Sequence, residues 1–236
     1  HWSEVRVLPG PPFLSLSWNI FDSLISNHVK YKERKLGNMK KDLDFRMPFI
    51  IAEIGGNHEG SLDYAKKLLI DAAEAGADAV KFQTYFPDRI VSKIEDPERH
   101  KHFGKFSLGI EDYFTLSELA LENDVTFMSS IWDSESLADI NDLVSIHKIG
   151  SGDLTNYPLI KKIVETNKPL IISSAMATIE EIDETVRFIE KENPAYIDSK
   201  KLGILQCVAM YGDPNDSYAN LNVIPTLSKR FPKHII

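Results

Sequence analysis

A chain of 236 residues and 26.7 kDa, 43% of it hydrophobic, is long enough to bury one large core or two small ones, which excludes a small stapled domain. Its 27 Lys and Arg against 35 Asp and Glu leave a net charge of −8, which argues against sequence-independent nucleic-acid binding because a phosphate backbone demands a net basic face. The single cysteine, Cys207, cannot form an internal disulfide, and no run approaches the roughly 18 apolar residues that span a bilayer, so the expected setting is a reducing cytoplasm with no membrane partner.

Two compositional regimes meet near residue 47. Residues 1–46 hold a turn at Pro9-Gly-Pro-Pro12, a mixed apolar stretch from Phe13 to Ile25 and a basic cluster (Lys30, Lys32, Arg34, Lys35, Lys40, Lys41), without a sustained period. The expectation is a leader, poorly ordered or non-native; the sharper alternative is a basic partner-binding arm. From there on, short apolar runs alternate with amphipathic windows. Phe49 to Ile54 reads as a strand buried on both faces, and Ser61 as the N-cap of a helix carrying Leu62, Ala65, Leu69 and Ala72. Ala79 to Gln83 is the second strand. A helix with Tyr113, Leu116 and Ala120 precedes the third, Val125 to Ser130, and Asp133 caps the helix after it. Ser145 to Ile149 is the fourth strand, with Asn156 and Pro158 opening its helix. The fifth, Pro169 to Ser174, leads to a capping box from Thr178 to Glu181. The sixth, Leu202 to Cys207, leads to a helix with Leu221, Ile224 and Leu227, and His234 to Ile236 begins another apolar run.

This alternation implies an α/β fold with a parallel sheet. No glycine fingerprint of a dinucleotide-binding turn follows the first strand, whereas nearly every strand ends in a polar residue: Glu53, Lys81 with Gln83, Ser129 with Ser130, Lys148 with Ser151, and Ser173. A (β/α)₈ barrel gathers such ends around one mouth. Lys81 and Lys148 sit in apolar strands, where an unpaired ammonium would cost several kcal/mol, so each needs an anionic partner. Two unrelated salt bridges would satisfy that. Two such lysines in one ring beside the hydroxyls of Ser130, Ser151, Ser173 and Ser174 look more like a phosphate or carboxylate site, to which the turn Gly150-Ser-Gly152 can add backbone N–H groups.

Glu53, an acid in an apolar strand, must be paired, ligated or protonated. His58 reads as a loop-ordering residue, Cys207 as core. Gln83, Asp153 and Tyr211 follow strand ends and suit a hydroxyl-rich ligand. A lysine forming a Schiff base, as in barrel aldolases, stays open on spacing alone.

Four blocks in order, Ile50-Ile-Ala-Glu-Ile-Gly-Gly-Asn-His-Glu-Gly60, Gly76-Ala-Asp-Ala-Val-Lys-Phe-Gln83, His147-Lys-Ile-Gly-Ser-Gly-Asp153 with Asn156-Tyr-Pro158, and Lys168-Pro-Leu-Ile-Ile-Ser-Ser-Ala-Met176, closely resemble the N-acetylneuraminate (sialic acid) synthase family over residues 48–236. The resemblance implies a barrel that condenses phosphoenolpyruvate with N-acetylmannosamine or a related amino sugar, assisted by Mn²⁺ or Mg²⁺. It assigns Lys81, Ser130, Lys148, Ser151 and Ser173 to phosphoenolpyruvate, Gln83, Asp153 and Tyr211 to the sugar, and Glu53 to the reacting centre; Lys81 and Tyr211 also count as catalytic candidates. The chain departs from the family pattern at Ala175, Ala209 and Gly212, and carries Asp153 where some members have Glu. Family members continue into two metal-binding histidines and an antifreeze-like domain exchanged between the subunits of a homodimer. Residues 47–236 are thus expected to form six βα units and the start of a seventh strand, with the metal ligands beyond Ile236 and little synthase activity in this chain alone. The alternatives are another phosphoenolpyruvate-dependent sugar-acid synthase, or an inactive phosphoenolpyruvate- or sugar-binding barrel fragment.

Overall fold

The computed structural model describes residues 5–9, 48–198, 201–210 and 216–236. Among these residues seven strands form one sheet in strictly sequential order. The first, β1 (Val5–Pro9), runs antiparallel to β2 (Pro48–Gly55), with Val5 opposite Ala52 and Pro9 opposite Pro48. It is the only described part of the expected leader, and the periodicity of residues 1–46 gives no sign of it. Strands β2, β3 (Ala79–Thr84), β4 (Thr126–Ile131), β5 (Ile146–Ile149), β6 (Leu170–Ser173) and β7 (Leu202–Leu205) are all parallel, each beside the next. A doubly wound sheet would reverse its order at a switch point. Six neighbours in chain order are instead the arrangement of a barrel-like sheet.

Helices return the chain between strands, and their starts obey local chemistry. Ser61 Oγ accepts the Tyr64 N–H at the head of Leu62–Glu74, Asp133 accepts the N–H groups of Glu135 and Ser136 ahead of Ser134–Ile140, and Asn156 caps Tyr157–Glu165 with Pro158 in its first turn. Thr178 and Glu181 close the expected capping box of Ile179–Glu192. The remaining long helices are Pro97–Phe106, Ile110–Glu122 and Val223–Arg230.

Strand alternation separates two cores. Ala52, Ile54, Val80, Phe82, Phe127, Ile131, Ile149, Leu170, Ile172, Leu202 and Ile204 face outward and pack against the helices in one large cluster. Ile51, Ala79, Met128, Ile146, Ile171 and Leu205 face the other way and form a smaller cluster of their own. The polar strand ends stand beside this inner plug.

Two expectations at the C-terminal side need correction. β7 ends at Leu205, whose carbonyl is taken by both the Ser174 N–H and the Ser174 hydroxyl, so Cys207 lies past the strand, half-buried, where it packs against the inner plug. Leu221 precedes its helix and is 65% exposed, and of the three apolar residues expected on that face only Leu227 is buried. Beyond β7, Ile235 bridges in parallel to Gly203, which is the apolar run foreseen from His234.

Candidate functional site

Register builds the site. Glu53 on β2 stands opposite Lys81 on β3, and Ser130 on β4 stands opposite both Gln83 on β3 and Lys148 on β5. Parallel partners present the same face, so these side chains project inward beside the plug. Lys81 Nζ meets Glu53 Oε1 at 2.9 Å and donates to Ser130 Oγ at 2.8 Å and to the Phe82 carbonyl at 3.4 Å. Lys148 Nζ donates to the Ile149 carbonyl at 2.8 Å and to the Ser173 hydroxyl. Both lysines are almost wholly buried, 3% and 2% exposed, and Ser130 and Ser173 are buried with them. The structure thus brings together Glu53, Lys81, Ser130, Lys148 and Ser173, side by side on five successive strands. The requirement that a buried ammonium be partnered is met at Lys81 by Glu53.

Gln83 borders this row, and the Tyr113 hydroxyl fixes its backbone by donating to its carbonyl at 2.8 Å. Gly55, with φ of +56°, makes room: a Cβ there would lie 3.3 Å from Glu53 Oε1 and 3.5 Å from Gln83 Nε2. Glu53 and Gln83 therefore address one space.

Ser151 and Asp153 occupy a single 3₁₀ turn after β5. Ser151 Oγ accepts the Ala175 N–H at 3.1 Å, which ties the loops after β5 and β6 together. Asp153 accepts from Asn156 Nδ2 at 3.3 Å, and burial pushes its carboxyl above the usual range, partly offset by that hydrogen bond. Ser174 binds the Leu205 carbonyl. Ser129, counted among the polar strand ends, faces the opposite way and pairs with Thr84 at 2.7 Å, as alternation requires. Tyr211 lies outside the described residues. His58 is a buried loop residue whose Nδ1 accepts the Gly60 N–H at 3.1 Å, with burial holding its pKa below the ordinary value.

Residues 85–109 carry no clear period in the sequence. They hold the short helix Pro87–Ile90 and the helix Pro97–Phe106, and they contribute to an aromatic group built by Tyr85, Phe103 and Trp132. The available signal is Asp96 ahead of Pro97, an N-cap followed by proline in the first turn; the side chain of Asp96 does accept the Arg99 N–H.

Among the described residues no three His, Cys, Asp or Glu side chains converge on one point, and Glu53 Oε1 already faces Lys81. The described residues do not by themselves make the donor set of a divalent cation.

Residues 68–235 match the NeuB family. Among relatives, the chain is 37% identical over 202 residues to N-acetylneuraminate-9-phosphate synthase of Drosophila melanogaster, covering 78% of this chain and 51% of that protein. It is 35% identical over 213 residues to N,N'-diacetyllegionaminic acid synthase of Legionella pneumophila, covering 84% and 59%. The crystal structure of N-acetylneuraminic acid (sialic acid) synthetase from Leptospira borgpetersenii superimposes with a TM-score of 0.68 at 28% identity, over 77% of this chain and 61% of that one. The chain spans about half to three-fifths of the length of these relatives.

Proposed function

Because this chain belongs to the NeuB family, we propose that it carries the phosphoenolpyruvate site of a synthase that joins phosphoenolpyruvate to N-acetylmannosamine or a related amino sugar, yielding N-acetylneuraminate or another nonulosonic acid and phosphate. The observation that carries this reading is the pair of buried lysines, Lys81 and Lys148, facing one side of the sheet with Ser130 between them. Two ammonium groups with hydroxyls from Ser130 and Ser173 suit a small, highly charged anion, and phosphoenolpyruvate offers a phosphate and a carboxylate at that scale. The six parallel strands are read as the first six of a (β/α)₈ barrel whose mouth lies at these strand ends.

The chemistry balances without a redox partner. The enol C3 attacks the sugar aldehyde, a C–C bond forms, and the aldehyde oxygen takes up a proton. Water adds at C2 and gives up a proton; the bond from C2 to the phosphate oxygen then breaks as the new C2 hydroxyl passes its remaining proton to the departing phosphate, leaving a ketone at C2. Lys81, Ser130, Lys148, Ser151 and Ser173 hold the anion. Gln83 and Asp153, with Tyr211, take the sugar hydroxyls. Glu53, held by Lys81, either orients the water or takes its proton. A divalent cation, Mn²⁺ or Mg²⁺, is expected in the whole synthase, while anion binding, sugar orientation and proton handling fall to this chain's own side chains. A Schiff base fits less well. Lys81 donates to the Ser130 hydroxyl and the Phe82 carbonyl and pairs as an ion with Glu53, whereas a Schiff-base lysine must offer its lone pair to a carbonyl.

Titration calorimetry with phosphoenolpyruvate tests the reading. Binding is expected in the chain as it stands and loss of at least about tenfold in affinity in Lys81→Ala and in Lys148→Ala, the scale of one charge-assisted contact. If both variants fold, by circular dichroism, and bind as tightly as the parent, the anion site is elsewhere.

A further inference from the structure

The long connection between β3 and the helix Ile110–Glu122, which holds the helices Pro87–Ile90 and Pro97–Phe106, leaves the strand ends where a barrel-like sheet places recognition. Its geometry is specific. Gln83 and Ser130 are register partners at the ends of β3 and β4, and two residues beyond each stand Tyr85 and Trp132. Each lies one residue past its strand, at the same end of the sheet as Gln83 and Ser130. Their rings lie 4.8 Å apart, and Phe103 from Pro97–Phe106 meets both edge-on, at 5.2 Å from Tyr85 and 5.5 Å from Trp132. Tyr85 is covered, 3% exposed, while Phe103 and Trp132 keep part of their surfaces open.

The helix that brings Phe103 is anchored over the same end of the sheet. It contributes no fully buried residue. Its last turn presses on the loop after β2, where a Cβ on Gly60 would fall 2.3 Å from the Lys105 carbonyl and one on Gly56 would fall 3.9 Å from Phe106 Cβ. Gly60, with φ of +77°, is thus required twice, for its backbone angle and for this approach. One helix thus touches the loop after β2 and the residues that follow β3 and β4.

We propose that Trp132 and Phe103 form the wall that receives the apolar face of an N-acylated hexosamine, setting acceptor specificity above the anion row. This rests on the synthase reading. A sugar ring carrying an N-acyl methyl presents a C–H face that a partly open indole can cover, while its hydroxyls need directional partners such as Gln83. Phosphoenolpyruvate has no comparable apolar face and gains nothing from the wall.

Tryptophan fluorescence tests this directly. N-acetylmannosamine is titrated into the full chain with and without saturating phosphoenolpyruvate, beside Trp132→Phe and Phe103→Leu, and phosphoenolpyruvate affinity and thermal midpoint are measured on every protein. The sugar is expected to perturb the emission, the perturbation to vanish in Trp132→Phe, and sugar affinity to fall about fivefold in Phe103→Leu with phosphoenolpyruvate affinity unchanged. Mannose, lacking the N-acyl group, is expected to bind more weakly than N-acetylmannosamine to the parent and to discriminate less in Phe103→Leu. A merely structural cluster would lower the thermal midpoint and leave the sugar's affinity and its preference over mannose intact; that result, or no sugar-dependent change in emission with or without phosphoenolpyruvate, overturns the wall. Failure of phosphoenolpyruvate to bind while the sugar still perturbs Trp132 would instead refute the synthase reading and leave the wall standing.

Discussion

The two faces of the sheet share one backbone and nearly the same burial, yet they carry different chemistry. On the outer face, against the helices, Thr84 pairs with Ser129, and His147, neutral in its buried setting, reaches Asn141 Oδ1 at 3.1 Å through Nε2. On the inner face stand two lysines and a glutamate. Burying a hydroxyl costs little once it has a partner, whereas burying a charge demands strong, well-placed ones. A fold under selection for stability alone has no use for three ionisable side chains beside an apolar plug. The contrast favours the inner face for the proposed anion site and leaves the outer face to hold the structure together.

The sharpest way to break that division is to cut into the outer core. Phe82 is fully buried, 5.7 Å from the Phe127 ring and 6.1 Å from His58. Phe82→Ala is expected to cost about 3–5 kcal/mol in urea unfolding. Phosphoenolpyruvate affinity of the molecules that remain folded should hold, although Lys81 is the adjacent residue, because the two side chains point to opposite faces. The inner counterpart is Lys148→Met. It removes a buried charge while keeping an unbranched apolar stem, so about 1.5–3 kcal/mol of anion binding is expected to go while the urea midpoint stays or rises. A large loss of stability with binding retained would reverse the roles of the two faces.

His147 sharpens the comparison by pH. It is fully buried on the outer face, with Nδ1 lacking a hydrogen-bond partner among the described residues, and burial, aided by the nearby Lys168 ammonium, depresses its pKa from 6.5 to about 3. A base with a depressed pKa folds in its neutral form. Its contribution is complete above pH 6.5 and is lost as pH falls toward 3, where the unfolded chain binds a proton that the folded one refuses. Between those limits, stability is expected to fall by up to about 1.4 kcal/mol per pH unit from this group. Chemical unfolding at pH 7 and pH 5.5 should show a steeper drop in the parent than in His147→Gln.

Much of this division is legible in the sequence. Apolar runs mark all six parallel strands, five of them closed by polar residues, and the caps Ser61, Asp133, Asn156 and Thr178 lie where the pattern puts them, because both signals are local. The pairing of Glu53 with Lys81 is one of several possibilities on sequence alone, since alternation gives the face of a residue but only register gives its neighbour. Ser129 does not belong with the site serines for a related reason. Adjacent serines at a strand end look alike in sequence, and their one-residue offset sends them to opposite faces. The helix Pro97–Phe106 is hard to read because it has no buried stripe, only a cap and two phenylalanines, and Val5–Pro9 because a strand held by backbone bonds to one neighbour needs no apolar period.

The smallest test leaves both faces untouched. Thr178 stands at the head of Ile179–Glu192, where its hydroxyl accepts the Glu181 N–H at 3.2 Å while the Glu181 carboxylate accepts the Thr178 N–H at 2.7 Å. The helix buries Ile182, Val186 and Ile189 against the outer core, so its first turn is coupled to that core and only through it to the strands. Thr178→Ala strips the hydroxyl and leaves an N–H of the first turn to water, at a cost of about 1 kcal/mol. For a chain of this size that corresponds to about 2–4 °C in thermal midpoint. Thr178→Ser, which keeps the oxygen, should recover most of it. Phosphoenolpyruvate affinity should be the same in all three proteins, because Lys81 and Lys148 are held by strand register and by their own oxygen partners rather than by the fit of the surrounding helices. If affinity followed the thermal midpoint through this series, the anion row would depend on the outer layer, and the two faces could no longer be treated as separate.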